Sequence, residues 1–202
     1  MIRKLKSLIK TGQENIEKIR YNNKRRRDRI KQLRHEDGAK VMFDSVTVKA
    51  IPGNAPAVAG YVDGIFKTFH MLKTTHPHSW RLPIAVFAEH DATCLDIENG
   101  DAFPTQAADW VKRQHKRGIK LPVVYTSVSG MDSLLEILKD AGIKRSEVRV
   151  WTAHYTFTPH LCGPHSCNEL RSTTADATQW TDTALGRNLD ESMLHKHFFR
   201  HG

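Results

Sequence analysis

From Ala39 onward the sequence is a succession of short apolar and β-branched runs, most of them closed by a polar or acidic residue. Seven runs read as strands, over residues 41–44, 58–62, 84–88, 94–97, 123–126, 148–152 and 177–180, with an eighth around Asn188-Leu189-Asp190. Two stretches between them carry helix punctuation. Residues 104–117 open on Pro104 and are followed by Gly118, and residues 131–141 are closed by Gly142. Strands alternating with helices specify an α/β fold with a largely parallel sheet. In such a sheet the carboxyl ends of the strands form one mouth, and these ends carry Asp44, Asp63, Glu89, Asp96 with Glu98, Thr126 with Ser127, His154 with Tyr155, and Asp182.

The sharpest of these ends is Leu95-Asp96-Ile97-Glu98. Side chains alternate along a strand, so Asp96 and Glu98 share one face while Leu95 and Ile97 pack on the other. Two neighbouring carboxylates resist joint ionisation, which leaves a protonated acid beside a charged base. Glycoside hydrolysis needs that pair. A cation site or an exposed strand end are the other readings of the same four residues.

The segment before Ala39 has a different character. Residues 1–38 hold 13 Lys/Arg and 5 Asp/Glu, so they carry +8 of the net charge of +9, and residues 39–202 are nearly neutral. With Ile2 at position a of a heptad, the a positions are Ile2, Ile9, Ile16, Asn23 and Ile30, and the d positions are Leu5, Gly12, Ile19, Arg26 and Leu33. This seam predicts a basic helical arm over 1–38 that forms a coiled coil through residues 2–33 and makes the chain a homo-oligomer or part of a larger assembly. Packing of the same helix on its own domain is the alternative. Thr11-Gly12-Gln13-Glu14 reads as a capping box at which a second helix starts. The run Lys24-Arg25-Arg26-Arg27 suits an anionic partner; nucleic acid is one, though not the favoured one.

Mean hydropathy is -0.51, and no apolar run approaches the roughly 18 residues that a membrane span requires. The start MIRKLKSLIK lacks the apolar core and small-residue cleavage site of a secretory signal. The expectation is a protein cytoplasmic when made, virion-associated or released at lysis to act on the cell wall.

Taken in order, Asp44 at the end of the first strand, Leu95–Glu98, Val124-Tyr125-Thr126, Val150-Trp151-Thr152-Ala153-His154-Tyr155, Gln179-Trp180-Thr181, Gly186 and Leu189-Asp190 resemble glycoside hydrolase family 25. These are the barrel-shaped lysozymes of phages and bacteria, and the related glycoside-hydrolase-like domains of actinobacteria and their phages are closer still in style. The likeness covers residues 40–192. It implies a shortened TIM-like (β/α) barrel over 39–202, acting on the glycan of peptidoglycan without a metal or organic cofactor. Glu98 would be the general acid and Asp96 its partner, with Asp44 and Asp190 as further acids of the cleft. Tyr125, Trp151, Tyr155 and Trp180 would offer faces to sugar rings. Residues 39–202 fall short of the roughly 200 that complete barrels use, so helices are expected to be missing, most obviously between Ala88 and Cys94. A degenerate barrel in a non-catalytic virion or cell-wall attachment protein is the alternative that the shortening raises.

Residues 160–167, His-Leu-Cys-Gly-Pro-His-Ser-Cys, offer two thiols and two imidazoles. The spacing permits zinc, but structural zinc sites draw their pairs from separate segments. A Cys162–Cys167 disulfide is therefore the favoured expectation, with free thiols as the remaining option. Cys94 shares parity with Asp96 and is expected to fill the interior as a small hydrophobe.

Overall fold

The computed structural model describes residues 40–199 together with Gln13 and Glu17. The chain divides into two units, Met1–Glu36 and Asp37–Gly202. Every seam position of the expected coiled coil over residues 2–33 lies outside the described residues; of that segment Gln13 and Glu17 are described, and they are helical and exposed.

Eight strands close into a barrel in sequence order. They are β1 (Val41–Asp44), β2 (Ala57–Tyr61), β3 (Trp80–Ala85), β4 (Cys94–Asp96), β5 (Val123–Ser127), β6 (Arg149–Ala153), β7 (Ala177–Thr181) and β8 (Asp190–Leu194). Strands β1 to β7 pair in parallel, whereas β8 runs antiparallel to both β7 and β1. The sheet is thus largely parallel, as expected, and its closing strand makes the barrel a mixed one. Connection length does not set this direction, since residues 86–93 join β3 to β4 in parallel over an equally short stretch; residues 182–189 instead turn back on themselves through Leu185 and Gly186 at positive φ.

Period-two alternation divides the apolar residues into two cores. Met42, Ala57, Ala59, Leu82, Ile84, Cys94, Val123, Tyr125, Trp151, Ala177 and Leu194 fill the barrel interior. Leu95, Ile97, Val124, Val150 and their neighbours face outward and pack against the helices. Cys94 is thus an interior filler, as its parity predicts.

The helices are α1 (Phe69–Thr75), α2 (Ala107–Lys116) and α3 (Val128–Asp140), following β2, β4 and β5. Helix α1 has no counterpart in the sequence reading: seven residues with three Thr or His give little helical signal. It is held by packing, with Leu72 fully buried. A Cβ on Gly60 of β2 would lie 2.8 Å from Leu72 Cδ1 and 3.2 Å from Phe69 Cα, so glycine is what lets the helix lie flush on the strand.

Among the described residues no helix lies between β3 and β4, in the gap expected to lack one. The loop there is pinned instead. The Asp63 carboxylate accepts hydrogen bonds from the backbone N–H groups of Val86 (2.8 Å) and Phe87 (3.2 Å) and pairs with His90 Nδ1 at 2.7 Å. From α2, Trp110 Nε1 donates to the His90 carbonyl at 2.9 Å and Arg113 pairs with Asp91 at 3.0 Å. These bonds explain why β3 ends at Ala85 rather than running to Ala88: the amides of residues 86 and 87 are taken by a carboxylate and not by a neighbouring strand. No helix among the described residues is long and apolar enough to cross a membrane.

Candidate functional site

The last inward-facing positions of the parallel strands include Asp44, Tyr61, Asp96, Tyr125 and Gln179, and because β8 is reversed its first residue, Asp190, joins them. Asp44 and Asp190 are direct partners in the β1–β8 ladder. Opposite residues of an antiparallel pair project to the same face with Cβ atoms about 4.5–5.5 Å apart, so two carboxyls meet at close range. Asp44 is pushed well above the usual carboxylate range by burial, then by the charge of Asp190 and the hydrogen bond between them, and then by Asp96. Asp190 is raised to about 6: burial lifts it, and hydrogen bonds from Asp44 and Gln179 hold the rise down. The pair therefore shares a proton that resides on Asp44, which donates to Asp190.

The contacts continue across the mouth. Gln179 binds Asp190 and also accepts from Tyr125 Oη at 2.5 Å. Tyr125 in turn hydrogen-bonds Tyr155, whose phenol is pushed up to about 12 by burial and then by Asp190 and Glu98. Since the amide oxygen of Gln179 is occupied by the phenol, its NH₂ group is what faces Asp190.

Asp96 and Glu98 occupy another stretch of the same rim. The Ile97 N–H donates to the Tyr125 carbonyl at 2.9 Å, which continues the β4–β5 ladder one residue beyond the strand. Ile97 is buried in the outer core, so Asp96 and Glu98 fall on the opposite, inner side. Burial, followed by the charges of Glu98, Asp101 and Asp63, lifts Asp96 to about 8. Glu98 is exposed on the rim, yet partial burial of its carboxyl and then the charges of Asp101 and Asp190 raise it too. Asp44 Oδ1 and Asp96 Oδ1 are buried and without a hydrogen-bond partner. The mouth thus holds two protonated carboxyls with leftover acceptor atoms, an ionisable rim acid, and a carboxylate that charges near pH 6.

The four acids singled out in the sequence, Glu98, Asp96, Asp44 and Asp190, are brought to one mouth. The aromatic residues divide, Tyr125 and Tyr155 joining the acids while Trp151 and Trp180 do not. Trp151 is corrected: it is only 1% exposed, its Nε1 donates to Ser192 Oγ at 3.0 Å, and its ring leans on Tyr125 at 4.5 Å between centroids, so it presents no free face. Tyr125 is also buried, with its hydroxyl committed to the mouth network. Tyr155 stands 47% exposed beside the acids. Trp180 lies in the β-bulge between Gln179 and Thr181, half-buried, with its Nε1 buried and unpartnered. Asp63, expected at the mouth with the other strand-end acids, is committed to holding the β3–β4 loop.

Sequence reasoning missed Gln179 and Tyr61 as members of the mouth, although both share the inward parity of their strands. It also missed the exposed apolar rim: Val46, Ile65, Phe66, Phe87, Phe103 and Phe157 all sit on loops that leave this end of the barrel. A pocket bounded by Tyr61, Asp63, Ile65, Phe66, Phe87 and Asp101 opens there. The available signal was position: these residues fall in loops beyond the strand ends, whereas Tyr125 and Trp151, at inward positions inside strands, are buried.

Fold and site together define a mixed α/β barrel protein with a cluster of proton-holding carboxyls at its mouth. No protein-family model matches the chain, and no curated protein matches it. Among solved structures it is similar to the 1.07 Å crystal structure of an uncharacterized B. stearothermophilus protein, with a TM-score of 0.56 and 12% identity over 79% of this chain and 97% of that one. At that identity the likeness is one of fold.

Proposed function

We propose that this chain is a peptidoglycan-directed glycoside hydrolase of lysozyme-like type, of phage or actinobacterial style, built on a trimmed TIM-like barrel. The observation that carries the reading is the gathering of Asp44, Asp96, Glu98 and Asp190 at one barrel mouth with their proton affinities driven apart by burial and mutual repulsion. Glu98, the exposed member with a raised pKa, is the general acid. Its proton passes to the glycosidic oxygen as the bond from that oxygen to the anomeric carbon breaks. Water then bonds to the anomeric carbon and returns a proton to Glu98. Asp190, charged above about pH 6, stabilises the positive charge on the sugar. The leftover acceptor on Asp96 suits the N–H of an N-acetyl group, and Tyr155 with the rim phenylalanines suits the sugar faces.

The test is release of soluble muropeptides from purified peptidoglycan, followed by mass spectrometry. Wild type should release them, and Glu98→Gln, which keeps shape and removes the titrating proton, should abolish release with little loss of thermal stability. Equal activity in Glu98→Gln overturns the assignment. Binding of the glycan by wild type without release would assign the chain to the alternative, a degenerate barrel serving virion structure or cell-wall attachment.

A further inference from the structure

The crossover from β6 to β7, residues 154–176, contains no helix to pack it. Its polar centre is a compact group of side chains. His154 Nδ1 lies 3.0 Å from His160 Nε2 and 3.2 Å from Cys162 Sγ, and Cys162 Sγ lies 3.4 Å from His160 Nε2. His160 Nδ1 is 2.8 Å from the Thr158 carbonyl oxygen. A carbonyl only accepts, so that nitrogen carries the ring proton and the neutral ring leaves Nε2 as a bare lone pair facing the other two atoms. A backbone carbonyl fixing the far nitrogen in this way is the usual outer partner of a metal-bound histidine.

The separations fit a metal. Tetrahedral coordination with metal–nitrogen bonds of about 2.0–2.1 Å and a metal–sulfur bond of about 2.3 Å sets donor atoms about 3.3 Å apart for N···N and about 3.6 Å for N···S. The observed triangle is a few tenths of an ångström tighter. Among the described residues the donor atoms of His154, His160 and Cys162 all lie within 4.8 Å of one another, and a second thiol, Cys167, is buried nearby but stands outside that group. The backbone holds these thiols in place. The Cys162 N–H donates to Thr178 Oγ1 at 2.9 Å, its carbonyl accepts from Ala175 N–H at 2.8 Å, and Cys167 N–H donates to the Gly163 carbonyl at 3.1 Å. Gly163 itself lies so close to Thr174 that a Cβ would stand 2.9 Å from Thr174 Oγ1.

We propose that His154, His160 and Cys162 bind a divalent zinc-type ion that staples the β6–β7 crossover to the end of β6. Two imidazole nitrogens and a thiolate select zinc over harder ions. The histidine pairing differs from the sequence expectation: His154, from the end of β6, takes the place that the 160–167 segment alone would give to His165. The ligands therefore come from two places, a strand end and a loop. The role is structural, replacing the missing helix, and it bears on the mouth because Tyr155, adjacent to His154, joins Tyr125 in the hydrogen-bonded chain.

The test uses the full chain purified under reducing conditions without chelator. Elemental analysis should find one zinc per chain. After removal of that ion, titration with Co²⁺ should give tetrahedral d–d bands and a thiolate-to-cobalt charge-transfer band at one equivalent. Cys162→Ser and His160→Ala should weaken Co²⁺ binding by more than the roughly 10–100-fold that loss of an outer partner costs. Cys167→Ser and His165→Ala should leave the spectrum unchanged, since neither residue belongs to the group of donor atoms. Absence of both zinc and a cobalt spectrum in the reduced wild type overturns the site, as does a Cys162–Cys167 disulfide with no metal uptake after reduction. Loss of binding in His165→Ala or in Cys167→Ser overturns the ligand set. The wild-type spectrum decides even if a variant fails to fold.

Discussion

Asp96→Asn should stabilise the protein, and by an amount that grows with pH. The wild-type carboxyl is held at about 8 in the fold against 3.8 in the unfolded chain, chiefly by burial and then by Glu98, Asp101 and Asp63. Between those two values the folded state keeps a proton that the unfolded state has lost. Stability then falls as pH rises, by about 1.36 kcal/mol per unit, until the folded group itself ionises near pH 8. From pH 5 to pH 7 the loss due to Asp96 alone is at most about 2.7 kcal/mol, the neighbouring acids sharing part of it. Asparagine copies the neutral form and carries no such penalty. Its advantage should be small below pH 4, widen through pH 5 and 7, and level off beyond pH 8. Urea unfolding followed by tryptophan fluorescence at pH 5 and pH 7 measures the widening directly, and thermal melts should show it as a gap growing by about 5–11 °C at the full value. A constant gap between pH 5 and pH 7, or an asparagine variant less stable at pH 7 than at pH 5 relative to wild type, would refute the claim that Asp96 is buried with its proton. The same variant should lose hydrolysis of peptidoglycan severely, the stability gained at the mouth being activity given up.

Three further outcomes are expected. Asp63→Ala strips hydrogen bonds from the Val86 and Phe87 amides and from His90, which should cost about 2–4 kcal/mol in urea unfolding; it also removes a charge that raises Asp96 and Asp101, so the pH dependence of stability should soften. Gly60→Ala places a methyl 2.8 Å from Leu72 Cδ1 and 3.2 Å from the Phe69 backbone, which should cost about 1–3 kcal/mol through displacement of α1. The apolar seam of residues 2–33 leads us to propose that it drives self-association: light scattering should show a larger species for the full chain than for a chain beginning at Gly38, and equal monomeric masses would remove the coiled coil.

How much was legible follows from what each signal depends on. Inward and outward faces were readable because alternation is a property of the strand alone. Leu95-Asp96-Ile97-Glu98 divides between mouth and outer core as its parity requires, and Cys94 follows Asp96 inward. Which aromatics stay exposed was not readable from type. Trp151 and Tyr125 stand at inward positions of β6 and β5 and were drawn into the barrel, whereas Phe66 and Phe87, in the loops that follow β2 and β3, remained outside. Depth along a strand decides this, and strand ends are set by tertiary partners such as the Asp63 carboxylate that stops β3 at Ala85. Likewise, thiols four residues apart around Gly163-Pro164 suggest a disulfide, yet the structure holds Cys94, Cys162 and Cys167 as free thiols. His154, close to Cys162 only through the fold, draws the sulfur toward imidazoles instead.

Asp190 shows how a correct placement can rest on a wrong strand direction. Reading Asn188-Leu189-Asp190 as a strand in a parallel sheet puts Asp190 at a carboxyl end, and hence at the mouth. In the fold Asp190 begins its strand, and in a parallel barrel the first residue of a strand lies at the opposite end from the other acids. It reaches the mouth because β8 is reversed, residues 182–189 turning back through Leu185 and Gly186 at positive φ. That reversal does more than relocate one acid. Antiparallel pairing sets Asp190 directly opposite Asp44, and the proton they share is a consequence of register. Lengthening the β7–β8 turn would leave the antiparallel ladder free to slip, and a slip of one residue would turn Asp190 out of the barrel. The short loop is therefore as much a part of the acid cluster as the carboxylates it aligns.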